Sequence, residues 1–263
     1  MVTAPPRWLT RASFPKKIGF LERLYGHQLS EAGIGWKELV GGLMWKLDLQ
    51  NPTHRWLVYG EYELVGFHKW LASQLPDTPT IIDSGANLGQ FLALLIPLLD
   101  RPRIHAFEPN DVARAWLLEC IGRNQLSNIT VSAKGLGEFR GNATAKDYGP
   151  EHSHGSWTQT CRDTEGSIQL TSLDEYATEH QIPHIDFWKL DVEGFEVECL
   201  KGARDLLTHK RIARLKVEFG SDTISEGSEL LRSAGYRCFD FVHGRLRPSR
   251  QIAPYEDVVF LAK

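Results

Sequence analysis

The chain has 263 residues, 42% of them hydrophobic and 24% charged, with a formal net charge of −3. That is the balance of an ordinary soluble globular protein, long enough for one large α/β domain or two small ones, and its Lys and Arg residues are too scattered to mark a nucleic-acid surface. Cys120, Cys161, Cys199 and Cys238 are far apart and form no C-x-x-C pair, a spacing that supports neither a zinc site nor a disulfide framework. The charged, proline-bearing stretch from Met1 to Ser30, with no long apolar run anywhere in the chain, reads as a cytoplasmic protein without a membrane segment.

Residues 1–79 are rich in tryptophan (Trp36, Trp45, Trp56, Trp70) and read as an N-terminal cap packed on a domain spanning 80–263. From Thr80 onward, strand-like apolar runs alternate with amphipathic helical stretches, the rhythm of a parallel sheet. Thr80 to Asp83 is a first strand ending in an acid, followed by an apolar helix from Asn87 to Leu99. Arg103 to Glu108 is a second strand. Asp111 reads as the cap of the next helix, where Val112, Trp116 and Cys120 recur on one side. Ile129 to Ala133 is a third strand.

Leu136 to Ser167 is polar, Gly-rich and aperiodic, the mark of a lid or substrate loop. Ile185 to Leu190 is a fourth strand that again ends in an acid, Asp191, and a helix with Val197, Leu200, Ala203 and Leu207 on one side follows. Ala213 to Phe219 alternates, which predicts a fifth strand with one face incompletely buried. A helix closed by Gly235, a strand from Tyr236 to Val242, a turn-rich stretch and a last strand from Asp257 to Ala262 complete the chain. The cluster Arg245, Arg247 and Arg250 reads as a solvated hairpin. Two closing strands without a helix between them cannot both run parallel. The predicted fold is therefore α/β and doubly wound: a mostly parallel, seven-stranded, Rossmann-like sheet with one antiparallel strand near its edge.

The stretch that carries chemistry is Asp83-Ser84-Gly85-Ala86-Asn87-Leu88-Gly89, a strand-to-helix turn at the carboxyl edge of the sheet, where ligands bind in this architecture. Gly85 and Gly89 allow a tight turn and close approach. The motif is not G-x-G-x-x-G, because Asn87 replaces the middle glycine and the feeding strand ends in a carboxylate. A pyrophosphate wants neutral backbone amides, and Asp83 repels it. S-adenosylmethionine, with an ammonium, a sulfonium and no phosphate, suits that acid. Glu108, 25 residues after Asp83, stands where an acid bridges the two hydroxyls of a ribose. Signatures of P-loop NTPases, α/β-hydrolases and zincins are absent. A nicotinamide-dependent oxidoreductase shares the sheet but not this glycine pattern, and a cofactor-binding protein without catalysis needs Asp83 and Glu108 alone.

Together with Phe107-Glu108-Pro109-Asn110 and Lys189-Leu190-Asp191-Val192-Glu193-Gly194-Phe195-Glu196, the turn resembles the FkbM-type methyltransferases. Leu200-Lys201-Gly202-Ala203, Val217-Glu218, Leu47-Asp48-Leu49, Arg55 and Gly60-Glu61-Tyr62-Glu63 extend the likeness from about Leu43 to the C-terminus. The resemblance implies a class I methyltransferase sheet and transfer of a methyl group to an oxygen of a small metabolite, sugar or natural-product intermediate. By position, it implies that Asp83, Gly85, Ala86, Asn87 and Gly89 line the methionine end of the cofactor. Glu108 then holds the ribose, flanked by Pro109 and Asn110. Gly135 and Leu136 neighbour the adenine, with no acid at that turn, and Asp191 sits beside the methyl-transfer centre.

An alcohol acceptor needs a base. His154 and His152 in the long loop are the first candidates, since a histidine near its ordinary pKa of about 6.5 is neutral at working pH. Glu193, Glu218 and His243 follow. Glu193 could instead open the next helix, where an acid suits the dipole. Asp191, Glu193 and Glu218 could form a Mg²⁺ cluster, but no convincing ligand set is present and the reading is a metal-free enzyme. Trp157 in the loop could face an apolar acceptor. The expected partner is a small-molecule acceptor, with the chain acting as a monomer or homodimer.

Overall fold

Strand-forming runs separated by helices place the functional turns at one edge of a single large sheet. The computed structural model describes residues 5–12, 14–62, 64–147, 158–162, 165–249 and 251–263. It opens with α1 (Arg7–Arg11), α2 (Lys17–Ser30), the hairpin β1 (Ile34–Glu38) and β2 (Met44–Asp48), α3 (Pro52–Val58) and α4 (Phe67–Gln74). The winding then begins with β3 (Thr80–Ser84), α5 (Gln90–Leu95), β4 (Arg103–Phe107), α6 (Asp111–Arg123) and β5 (Ile129–Ser132). Next come β6 (Gly135–Leu136), β7 (Gly141–Asp147), β8 (Thr158–Arg162), β9 (Ile168–Thr171) and α7 (Leu173–Glu179). The last part holds β10 (Phe187–Leu190), α8 (Glu196–Lys201), α9 (Arg204–Thr208), β11 (Arg214–Glu218), α10 (Ile224–Ser233), β12 (Tyr236–Val242), β13 (Arg245–Pro248) and β14 (Asp257–Ala262).

The main sheet has the order β13-β12-β14-β11-β10-β3-β4-β5. Strands β5, β4, β3, β10 and β11 are parallel neighbours, and β14 runs antiparallel between β11 and β12. The α/β doubly wound, mostly parallel architecture predicted from the sequence is present. The strand count is corrected from seven to eight, and the antiparallel strands from one to two, because β13 pairs with β12 at the sheet edge. The cause is a two-residue turn, His243-Gly244, with both φ values positive (52° and 78°). That geometry matches the twist of a hairpin and turns the stretch after Val242 back as a strand.

Apolar residues of alternating register cover both faces. On one, Ile82, Trp188, Leu190, Leu215 and Val217 pack with α7 to α10 residues such as Tyr176, Leu200 and Leu231. On the other, Ile81, Ile104, Ala106 and Phe187 share a core with Leu21, Trp45, Leu57, Phe67 and Leu71 of the N-terminal segment. Trp45 Nε1 donates to the Leu88 carbonyl at 2.8 Å, so this segment is tied directly to the β3–α5 turn.

Other boundaries also differ from the sequence reading. The helix after β3 starts at Gln90, not Asn87, because Asn87 and Gly89 adopt left-handed conformations (φ 52° and 82°). Asn110, rather than Asp111, caps α6, accepting from the amides of Val112 and Ala113 at 3.0 Å. The helix predicted over Val197 to Leu207 is broken into α8 and α9 at Gly202-Ala203. A Cβ on Gly202 would stand 1.9 Å from the Gly137 carbonyl oxygen, so only glycine fits at this break.

β11 is buried on both faces at its centre. Lys216 is sealed in and its Nζ lies 2.6 Å from Asp257 Oδ1. The described residues of the long polar segment after Leu136 include β7 and β8, which join β9 and β6 in a separate four-stranded sheet of order β6-β9-β7-β8. His152, His154 and Trp157 lie outside the described residues.

Candidate functional site

The carboxyl ends of β3, β4, β10 and β11 and the turn entering β6 converge on a cavity of about 560 Å³, a size suited to a nucleoside cofactor with a small partner. Its wall includes Gly85, Ala86, Asn87, Glu108, Pro109, Asn110, Gly135, Leu136, Asp191, Glu193 and Glu218. Asp83 and Gly89, read from the sequence as cavity-lining, are not in the wall. Asp83 points along the buried face of the sheet and is fully enclosed. The side-chain space at Gly89 is occupied by Trp45 and Leu117.

Gly85 is needed because of its neighbour rather than a ligand alone. With φ at +73°, a Cβ there would stand 1.8 Å from the Asp191 carbonyl oxygen. Replacing Gly85 by Ala is therefore expected to cost about 1–3 kcal/mol through overpacking and to push β10 away from β3. A thermal melt checks this, the variant melting clearly below the parent.

Glu108 follows the last residue of β4 and is buried. Its Oε2 accepts from the Asn87 amide at 2.7 Å and its Oε1 from the Asn110 amide at 2.8 Å. Burial pushes its carboxyl pKa up and these two amides pull it back. The two bonds fix the carboxylate plane and leave each oxygen a further lone pair for a ligand.

Lys189 was quoted in a motif but assigned no role at the sequence level. On β10 its Cα pairs with that of Asp83 on β3, and Asp191 lies two residues along the same strand direction. The ammonium sits 2.9 Å from Asp191 Oδ2, 3.7 Å from Asp83 Oδ1 and 3.3 Å from the Gly85 carbonyl oxygen. It ties the two strand-end acids and the β3 turn into one unit. A lysine inside an otherwise apolar strand was the available signal.

Beyond Asp191 the chain turns through Glu193 (φ 54°) and Gly194 (φ 95°) before α8 begins at Glu196. The alternative that Glu193 opens the helix is thereby corrected. Glu196 takes that region, accepting from the Gly194 amide at 2.8 Å and from Thr223 Oγ1 at 2.8 Å. Glu193 is left at the cavity wall, where burial, and then the charges of Asp191 and Glu196, push its carboxyl up to about 8. His243 is exposed in the β12–β13 turn, away from the cavity wall. Among the described residues no group of three or more His, Cys, Asp or Glu side chains is placed to hold a metal ion. No described helix is long and apolar enough to cross a membrane.

Sequence reasoning also missed the aromatic side chains at the rim. Trp56 of α3, Tyr62 after it and Tyr255 before β14 all line the cavity.

An α/β sheet of this order with a carboxylate-walled cavity at its strand ends is the class I methyltransferase fold. The METTL16 methyltransferase domain superposes with a TM-score of 0.51 over 94% of both chains at 14% identity, a likeness of fold. Residues 83–238, more than half of the chain, match the model of the methyltransferase FkbM domain. The chain belongs to this family and is a methyltransferase. It is similar to the 2-O-methyltransferase NoeI of Sinorhizobium fredii, with 29% identity over 63% of this chain and 74% of that protein. It is also similar to the methyltransferase sdnD of Sordaria araneosa, with 26% identity over 53% of this chain and 66% of that one.

Proposed function

We propose that the chain is an S-adenosylmethionine-dependent O-methyltransferase of a small-molecule alcohol, with residues 1–79 serving as a cap on a catalytic domain spanning 80–263. The observation that carries the cofactor reading is the charge of the cavity wall. Five acidic side chains (Glu108, Asp111, Asp191, Glu193, Glu218) face one ammonium, Lys189, among the described lining residues, and the surplus of acids remains when Glu193, with its carboxyl at about 8, is left out. Lys189 is already engaged by Asp83 and Asp191. Such a wall repels a pyrophosphate and favours a cationic ligand, which argues against a dinucleotide.

In this reading Glu108 binds the ribose hydroxyls, and Gly85, Ala86, Asn87 and Asp191 surround the methionine end. Pro109, Asn110, Gly135 and Leu136 border the base. When bound, the cofactor supplies an electrophilic methyl group whose C–S electron pair leaves on a neutral thioether. A carboxylate of the wall would accept the proton that the acceptor oxygen gives up.

Among the candidate bases Glu193 is favoured, because burial and neighbouring acids raise its pKa and make its carboxylate a stronger proton acceptor than an ordinary one. His154 and His152, the first candidates from the sequence, lie outside the described residues. The likeness to a 2-O-methyltransferase supports oxygen as the acceptor atom.

Calorimetry tests the cofactor. S-adenosylmethionine and S-adenosylhomocysteine should bind, and NAD and ATP should not. Glu108→Ala should weaken binding by about 1.5–3 kcal/mol, the scale of hydrogen bonds to a charged group, with Glu108→Gln as the control that keeps the shape. Tight NAD binding without a response to S-adenosylmethionine would remove the reading.

A further inference from the structure

The cavity wall is not built from the family segment alone. Trp56 and Tyr62 precede residue 83 and Tyr255 follows residue 238, the limits of the family match, yet all three side chains line the same cavity. The cavity crosses the strand ends in the order β5-β4-β3-β10-β11. Glu108 and Gly135 therefore stand at one end and Glu218 at the other. Tyr255 belongs to the Glu218 end, because its amide donates to the Phe219 carbonyl at 2.8 Å and Glu218 pairs with Asp257. Trp56 lies on α3, which packs beside α5 over the β3 turn in the middle of the row.

We infer that acceptor selection in this enzyme resides in these flanking aromatics: Trp56, Tyr62 and Tyr255 stack the acceptor, and the carboxylates beside them restrict it to an uncharged, ring-bearing alcohol. The inference rests on the cofactor reading above. It follows from three features together. Aromatic faces bind the C–H faces of rings at little entropic cost. Asp191, Glu193 and Glu218 accept hydrogen bonds from hydroxyls. The carboxylates of Asp191 and Glu218, with the Lys189 ammonium engaged between Asp83 and Asp191, leave an anionic acceptor facing like charge, a repulsive element that sets specificity. The family segment then supplies the cofactor site and the reacting edge, and the flanks supply recognition.

The test uses the full chain with labelled S-adenosylmethionine and paired probes: p-nitrophenyl pyranosides and the corresponding p-nitrophenyl glycuronides, with product mass as the readout. Methylation of at least one neutral glycoside is expected, at a kcat/KM tenfold or more above its glycuronide partner. Trp56→Ala and Tyr255→Ala should each lower kcat/KM for the neutral probe by tenfold or more through KM. Calorimetric affinity for S-adenosylhomocysteine should stay within twofold, with Trp56→Phe and Tyr255→Phe recovering most of the loss.

Equal or faster turnover of glycuronides overturns the inference. So does a loss of S-adenosylhomocysteine affinity in the alanine variants without a change in acceptor KM, which would place the aromatics at the cofactor. Methylation of no probe by a protein that still binds S-adenosylhomocysteine also overturns it and leaves the cofactor reading standing. Failure of the parent protein to bind S-adenosylhomocysteine overturns the cofactor reading itself, and this inference with it.

Discussion

Replacing Lys189 by Met is expected to lower folding stability by about 3–5 kcal/mol, the scale for removing one partner of a buried ion pair. The side chain is 3% exposed and its ammonium joins Asp83, which is fully buried, to Asp191. A methionine of similar length fills the space but leaves two carboxylates facing each other with no positive charge between them. Urea unfolding at pH 7 measures the loss.

A double variant, Lys189→Met with Asp83→Asn, separates the charge term from packing. If charge dominates, the second substitution restores a large part of the stability, with a coupling of about 0.5–3 kcal/mol between the two sites. In Lys189→Met alone, the bare buried carboxylate is expected to titrate above its unfolded value. Its protonation stabilises the fold below the unfolded pKa and is lost as pH rises, so the deficit relative to the parent should be smaller at pH 5 than at pH 8. An equal deficit at both pH values, with no rescue by Asp83→Asn, would show that packing alone is lost.

Replacing Glu193 by Gln is expected to lower kcat on the order of 10²–10⁴-fold, the usual contribution of a general base, while S-adenosylhomocysteine keeps its affinity. In the parent the carboxyl is pushed up to about 8, so the active, ionised form increases as pH rises toward that value. The parent's rate should climb through the neutral range, and binding of a cation beside Glu193 should draw the midpoint downward. The residual rate of Glu193→Gln should lack that limb.

Stability moves the opposite way. A carboxyl whose folded pKa lies above its unfolded value supports the fold below the unfolded pKa, near 4.5, and loses that support as pH rises to about 8. Glu193→Gln is therefore expected to melt higher than the parent at pH 8 while being nearly inactive, which separates a catalytic loss from unfolding. If Glu193→Gln keeps a near-normal kcat and His154→Ala abolishes turnover, the base is His154 rather than Glu193.

Much of the site was legible in the residues themselves. Alternation and apolar runs gave β3, β4, β5, β10, β11, β12 and β14 within about two residues, because side-chain period sets which face of a strand is buried, whereas β6 to β9 and β13 were not read from the sequence. The acids Glu108 and Asp191 and the glycine turn at Gly85 were placed by a local rule: in a wound sheet, strand ends and the turns after them form the binding edge. The doubly wound, mostly parallel class followed from the order of strands and helices.

Contacts between distant segments were not in the local pattern. Whether Asp83 faced a ligand or the core depended on Lys189, which lies 106 residues away in sequence and is its register neighbour in space. Pairing at that range is set by how the crossovers wind, not by either strand's periodicity. The raised pKa of Glu193 depended on burial and on the neighbouring charges of Asp191 and Glu196. The aromatic rim depended on two chain segments, one on each side of the family match, meeting at the same cavity. The sequence by itself determined the class of fold and the edge at which chemistry takes place. Only the tertiary structure decided which acids are paired, which one is left basic and what the acceptor meets, because charge state and recognition are properties of the assembled surroundings of a side chain.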